Sequence, residues 1–167
     1  MEYFIVHTRI TPGFAIKNGT VRFSGKSIPE DAYAFYIPII EAINKYLENP
    51  ESKTILSFNL EYINSSSKKI LTNILKLFEQ AFLQNTNMEI EWNYEADDES
   101  IFDLGQDLQS MIKIPFHFNE IPQIWKKCWN PGYLQLHLFI NKFKCLWFLF
   151  QKNYFRALYS NTLYFKW

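Results

Sequence analysis

The sequence predicts an α/β domain: a mixed sheet of four to five strands with helices packed mainly on one face, in the order β-β-α-β-α-β-α. Three observations carry this. Short segments with a two-residue apolar period alternate with longer segments of helical period. An Asn18-Gly19 pair near the start supplies the positive φ that a tight hairpin turn requires. Finally, the strand segments alternate apolar residues with acids and amides, whereas strands covered on both faces read as continuous apolar runs. The helices are therefore expected to cover one face and to leave the other wet or open to a partner.

Taken in order, residues 4–8 and 20–24 open the chain as strands, separated by Thr11-Pro12-Gly13 and the Asn18-Gly19 turn. Ser27-Ile28-Pro29-Glu30 has the form of a capping box, in which Ser27 caps, Glu30 reaches back and Pro29 sits in the first turn. The helix behind it aligns Phe35, Tyr36, Ile39, Ile40, Ile43, Tyr46 and Leu47 on one stripe and ends near Asn49-Pro50. Residues 54–62 form a strand, with Leu56, Phe58, Leu60 and Tyr62 on one face and Ser57, Asn59 and Glu61 on the other. After Asn64-Ser65-Ser66-Ser67 a helix turns Ile70, Leu71, Ile74, Leu75, Phe78 and Phe82 inward. Residues 88–94 alternate Met88, Ile90, Trp92 and Tyr94 with Glu89, Glu91 and Asn93. A third helix spans about 99–112, with Ile101, Leu104, Leu108 and Met111 on one side, and a short strand at 114–118 closes the domain.

The chain has 167 residues, enough for one domain with a real core, and 48% hydrophobic against 20% charged residues fits a globular protein. Its net charge of zero is unevenly spread. Residues 1–120 hold ten Lys and Arg against seventeen Asp and Glu, while residues 121–167 hold seven basic residues and no acid. An acidic body argues against nucleic acid as its partner. Both cysteines, Cys128 and Cys145, fall in the basic part, so the body has neither a disulfide framework nor a cysteine-based site. The N-terminus shows no basic-then-apolar leader, and a cytoplasmic location is expected.

Residues 1–120 thus read as the domain and 121–167 as an aromatic, basic C-terminal extension with 14 aromatic residues. Its most apolar part, 134–150, is interrupted by His137, Asn141, Lys142 and Lys144 and falls short of a membrane span. Three readings stay open for the extension: a basic amphipathic helix at a membrane surface, an added packing element or oligomer contact, and a stretch with no selected function.

The most informative stretch for chemistry runs from Glu61 through Asn64, Ser65, Ser66 and Ser67 to Lys68 and Lys69. One helix cap needs one such polar residue, and here four stand in a row. The first turn then carries lysines instead of the acids that a helix dipole favours there. Free N–H groups, the dipole and two cations suit a phosphate, and a phosphoserine there would be repelled by Glu61. Simple capping remains the competing account.

The acids Glu95, Asp97, Asp98 and Glu99 could hold Mg²⁺ or Ca²⁺, but acids before a helix are more simply caps and dipole partners. His7, His117 and His137 are scattered and lack companions at ligand spacing. No Gly-x-Ser-x-Gly, phosphate-binding glycine loop or His-Glu-x-x-His is present, so neither catalysis nor a cofactor is expected.

Several motifs occur together in order: Thr11-Pro12, Gly25-Lys26-Ser27-Ile28-Pro29-Glu30, Phe35-Tyr36-x-Pro38, Leu60-Glu61-Tyr62-x-Asn64-Ser65-Ser66-Ser67-x-Lys69 and Trp92-x-Tyr94-x-x-Asp97-Asp98-Glu99. With Gly105 and Ile114-Pro115-Phe116, they make residues 3–118 resemble the SiaC-type regulatory phosphoproteins. The resemblance implies a domain like the STAS domains of anti-sigma-factor antagonists, working by partner switching. In such a switch a protein kinase phosphorylates one hydroxyl, a PP2C-like phosphatase removes the phosphate, and the unphosphorylated form engages a GGDEF diguanylate cyclase. The family's acceptor follows Asn in Asn-Thr-Ser-Ser, a place held here by Ser65, with Ser66 as the alternative. Asn64, Ser66, Ser67, Lys68, Lys69 and Glu61 are then the residues expected around the phosphate or partner. Rival expectations are an antagonist in a sigma-factor circuit, a membrane-attached adaptor working through 121–167, and a metal-dependent enzyme using Asp97 and Asp98.

Overall fold

The computed structural model describes residues 1–121. The readings made for the extension therefore lie outside the described residues. Three strands open the domain: β1 (Tyr3–Ile5), β2 (Gly13–Lys17) and β3 (Thr20–Ser27). There follow α1 (Ala32–Leu47), β4 (Thr54–Ile63), α2 (Ser65–Phe82), β5 (Met88–Glu95), α3 (Glu99–Met111) and β6 (Phe116–Ile121). All six strands form one mixed sheet in the order β1-β2-β3-β4-β5-β6. The expected class holds, with more strands than expected, because β2 lies in a stretch that Pro12 and Gly13 had marked as turn.

The Asn-Gly signal is a two-residue hairpin loop: Asn18 at φ 48° and Gly19 at φ 75° connect β2 to β3, with Lys17 opposite Thr20. From β3 onward every neighbouring pair is parallel, so each connection must carry a helix over the sheet. Crossovers share one hand, and here each moves to the next position in the same direction. All three helices consequently land on the same face. That face carries the core, including Phe14, Val21, Phe23, Leu56, Phe58, Ile90 and Trp92 from the sheet and Tyr36, Ile39, Ile43, Leu71, Ile74 and Leu108 from the helices. The opposite face carries exposed Arg22 and Asn59 beside half-buried Glu89, Glu91 and Asn93.

A run of ring contacts ties the core face together across the strands. Phe14 meets Phe23 at 4.9 Å, Phe23 stacks on Phe58 at 5.3 Å, and Phe58 meets Trp92 at 5.3 Å, each pair in register on adjacent strands. Such pairs contribute about 0.5–1.5 kcal/mol beyond their area. The Trp92 indole N–H donates to the Ile101 carbonyl at 2.9 Å, fixing α3 on β5.

Three local expectations are corrected. The first concerns Ser27, which ends β3 instead of capping a helix. Its side chain is fully buried against the Tyr36 hydroxyl at 2.8 Å, and Asp31 caps α1 by accepting from the Ala34 N–H at 2.9 Å. Tyr62 is 55% exposed instead of core-facing, because the register slips between Gly25 and Lys26 and Glu61 becomes an extra residue in β4. Met111 is 49% exposed, since α3 ends there and Ile112 turns inward in its place.

Candidate functional site

The serine-rich junction lies at the C-terminal end of β4, where β3 also ends. The Asn64 N–H donates to the Ser27 carbonyl at 3.0 Å, so the end of the neighbouring strand β3 holds the first residue of the turn. Asn64 is the cap of α2: its backbone is extended, and its side-chain oxygen accepts from the Ser67 N–H at 2.8 Å. Its carbonyl takes the Lys68 N–H at 2.9 Å. One residue therefore does the capping. The N–H groups of Ser65 and Ser66, which have no intrahelical partner, stay directed out of the helix start.

The three serines do not share one environment. Ser65 and Ser66 are exposed, and neither hydroxyl is held by another described residue. Ser67 is fully buried and faces the core, so its hydroxyl is turned away from the outer surface of the turn. It lies beside the Tyr36 phenol without a hydrogen bond of ordinary geometry. Burial pushes the Tyr36 pKa up, and the neighbouring Ser27 and Ser67 hydroxyls offset part of that rise. Tyr36 and Ser27 were not expected at this junction from the sequence; nothing in linear spacing shows that α1 and β3 meet beneath α2.

Lys68 and Lys69 diverge. Lys68 reaches sideways to Asp107 of α3, with Nζ 3.1 Å from the carboxylate, and the pair is largely solvated. Lys69 is exposed and lies one turn along the helix from Ser65 and Ser66. Glu61, at the bulge, is exposed as well. The structure thus brings Ser65, Ser66, Lys69 and Glu61 to one end of the domain, while Ser67 and Lys68 are engaged elsewhere.

The acidic stretch before α3 resolves as a cap. Asp98 accepts from the Ile101 N–H at 3.1 Å, and Glu99 complements the dipole in the first turn. Among the described residues, no three His, Cys, Asp or Glu side chains converge as a metal ion would need. His117 stands 4.0 Å from Glu89, whose other oxygen is 2.8 Å from Lys53. Among the described residues, no helix is long and apolar enough to cross a membrane.

Among the described residues the helices cover one side of the sheet only, and with exposed serines at a capped helix start this is the build of a binding and regulatory domain. The SiaC family model, whose members are regulatory phosphoproteins, matches residues 7–121. The chain belongs to that family. An uncharacterised protein of Pseudomonas aeruginosa strain UCBPP-PA14 is 26% identical over 98 residues, covering 59% of this chain and 78% of that one. Among solved structures, SiaC of Pseudomonas aeruginosa superposes with a TM-score of 0.67 at 24% identity, covering 72% of this chain and 99% of that chain. Diguanylate cyclase SiaD in complex with its activator SiaC, from the same organism, gives a TM-score of 0.66 at 24% identity, with 71% and 99% covered. At this identity these structures establish a shared fold.

Proposed function

We propose that this chain is a cytoplasmic, non-enzymatic partner-switch protein that binds and regulates a diguanylate cyclase when Ser65 is unphosphorylated. The observation that carries the reading is the division of labour at the start of α2. Asn64 supplies the cap, which leaves the exposed Ser65 hydroxyl without a structural task among the described residues. Membership of a family of regulatory phosphoproteins supports it, as does the SiaC relative that activates SiaD. A protein kinase and a PP2C-like phosphatase would set the state of Ser65, and Ser66 is the alternative acceptor.

The physical effect of modification is electrostatic. A phosphate brings a charge of about −1.5 to −2 to the end of the domain where Glu61 is exposed. Placed in an interface, that charge opposes any partner surface shaped for a neutral hydroxyl. Two measurements test the proposal. Phosphopeptide analysis of protein from its own cells should place one phosphate on Ser65 or Ser66. In binding to the co-purifying cyclase, Ser65→Asp should lose about tenfold or more in affinity against Ser65→Ala, roughly 1.4 kcal/mol. Equal binding by the two variants refutes the switch.

A further inference from the structure

A second feature lies one step away on the neighbouring strand. Lys26 ends the exposed row of β3, and with Arg9, His7, Thr8, Gly25 and Glu61 it lines an open hollow of about 550 Å³. Arg9 and Lys26 hold no carboxylate among the described residues, and Glu61 forms no ion pair with either. Two cations without a carboxylate partner thus face one concavity of a body that carries seventeen acids and ten bases over residues 1–120. This leaves a local excess of positive charge where the rest of the domain repels anions.

We propose that this hollow binds a phosphate monoester dianion. Arg9 offers a forked set of donors and Lys26 a point charge, the two complementary ways in which proteins hold phosphate. Glu61 tempers the site, lowering its pull on every anion without abolishing it. With Arg9 and Lys26 against one carboxylate, the rim carries a net charge of +1, which attracts a dianion twice as strongly as a singly charged carboxylate ligand. The Ser27 carbonyl accepts from Asn64 N–H at 3.0 Å, so the chain beside Lys26 adjoins the chain beside Ser65. The phosphate has two sources: the protein's own phosphoserine, or a group arriving from outside.

The test uses the full chain, isotopically labelled, titrated with inorganic phosphate at constant ionic strength made up with sodium chloride. Saturable amide shifts at Thr8, Arg9, Gly25 and Lys26 are expected. Affinity should fall about fivefold for each cation removed in Arg9→Gln and Lys26→Gln, and rise by a similar factor in Glu61→Gln. Both cations are exposed, so the variants keep the fold, which the same spectra verify. This arm stands whether or not Ser65 is modified. A second arm installs phosphoserine at position 65. If the same amides are already shifted and added phosphate has no further effect, the site takes the protein's own phosphate; unchanged titration assigns an outside source. Shifts reproduced by chloride alone, or retained in the Arg9→Gln/Lys26→Gln double variant, overturn the proposal.

Discussion

Gly105 is a position at which a single added methyl group should be costly. It sits inside α3, where glycine ordinarily sacrifices about 1 kcal/mol relative to alanine, so propensity alone predicts that Gly105→Ala stabilises. Packing predicts the reverse. A Cβ at this site would lie 2.5 Å from Trp92 Nε1, 2.6 Å from Trp92 Cδ1 and 2.7 Å from Phe118 Cε1. These are about 1 Å inside ordinary contact, and Trp92 has no freedom to retreat: it is fully buried, ringed by Phe58 and bonded to Ile101. The helix must therefore lift from β5 and β6. Overpacking of this kind costs about 3 kcal/mol at the upper end of its usual range. Subtracting the propensity gain leaves about 2 kcal/mol of destabilisation. For a domain of this size that corresponds to a fall in melting temperature of roughly 6–10 °C. Calorimetry on Gly105→Ala, with exposed Gln106→Ala as the helix-propensity control, reads it directly. An unchanged or raised melting temperature would show that α3 has room to spare and that the close approach is not what requires glycine.

Three other predictions concern the junction and its surroundings. Asn64→Ala should cost about 1 kcal/mol, since it removes the acceptor for the Ser67 N–H; chemical denaturation measures it, and Asn64→Asp should recover most of the loss. Tyr36→Phe should cost about 1–3 kcal/mol by leaving the buried Ser27 hydroxyl without its partner. Because the Tyr36 pKa is raised in the fold, its contribution is complete below the ordinary tyrosine pKa and fades as pH climbs through the folded value; melting curves from pH 8 to 11 should fall more steeply for wild type than for Tyr36→Phe. The Lys68–Asp107 pair, well solvated on both sides, should show a coupling of about 0.5 kcal/mol in a double-mutant cycle, and a value several times larger would mean that it anchors α3 to α2.

The elements that the sequence shows clearly are those whose signal is local and repeated. The stripe on α1 and the alternation of β5 survive intact, with Tyr36, Ile39, Ile43, Met88, Ile90 and Trp92 all buried. Expectations failed where two local cues competed or where the deciding contact was distant. Ser27 and Asp31 both precede α1, and only the long-range pull of Tyr36 on Ser27 decides which one caps it. The alternation of β4 predicted an inward Tyr62, but one extra residue in the strand reverses the parity, and the local cue to the slip, Gly25 at φ 83°, lies on the partner strand β3. At the candidate site, the run of four polar residues was visible, but their division into a cap, two exposed hydroxyls and one buried hydroxyl follows from the turn of the helix over the core. The pairing of Lys68 with Asp107 spans 39 residues and could not be read from either segment alone.

The strand order has a consequence for how the chain is made. Each strand after β1 is laid beside the one synthesised just before it, so it meets a partner already made. During translation the sheet can extend at a single growing edge, gaining one crossover unit at a time. Loop closures stay short, which favours quick assembly in a sheet that is otherwise largely parallel. The last such edge to close is that of β5: until β6 has emerged and paired, β5 presents an open edge beside Trp92 to which another chain could add.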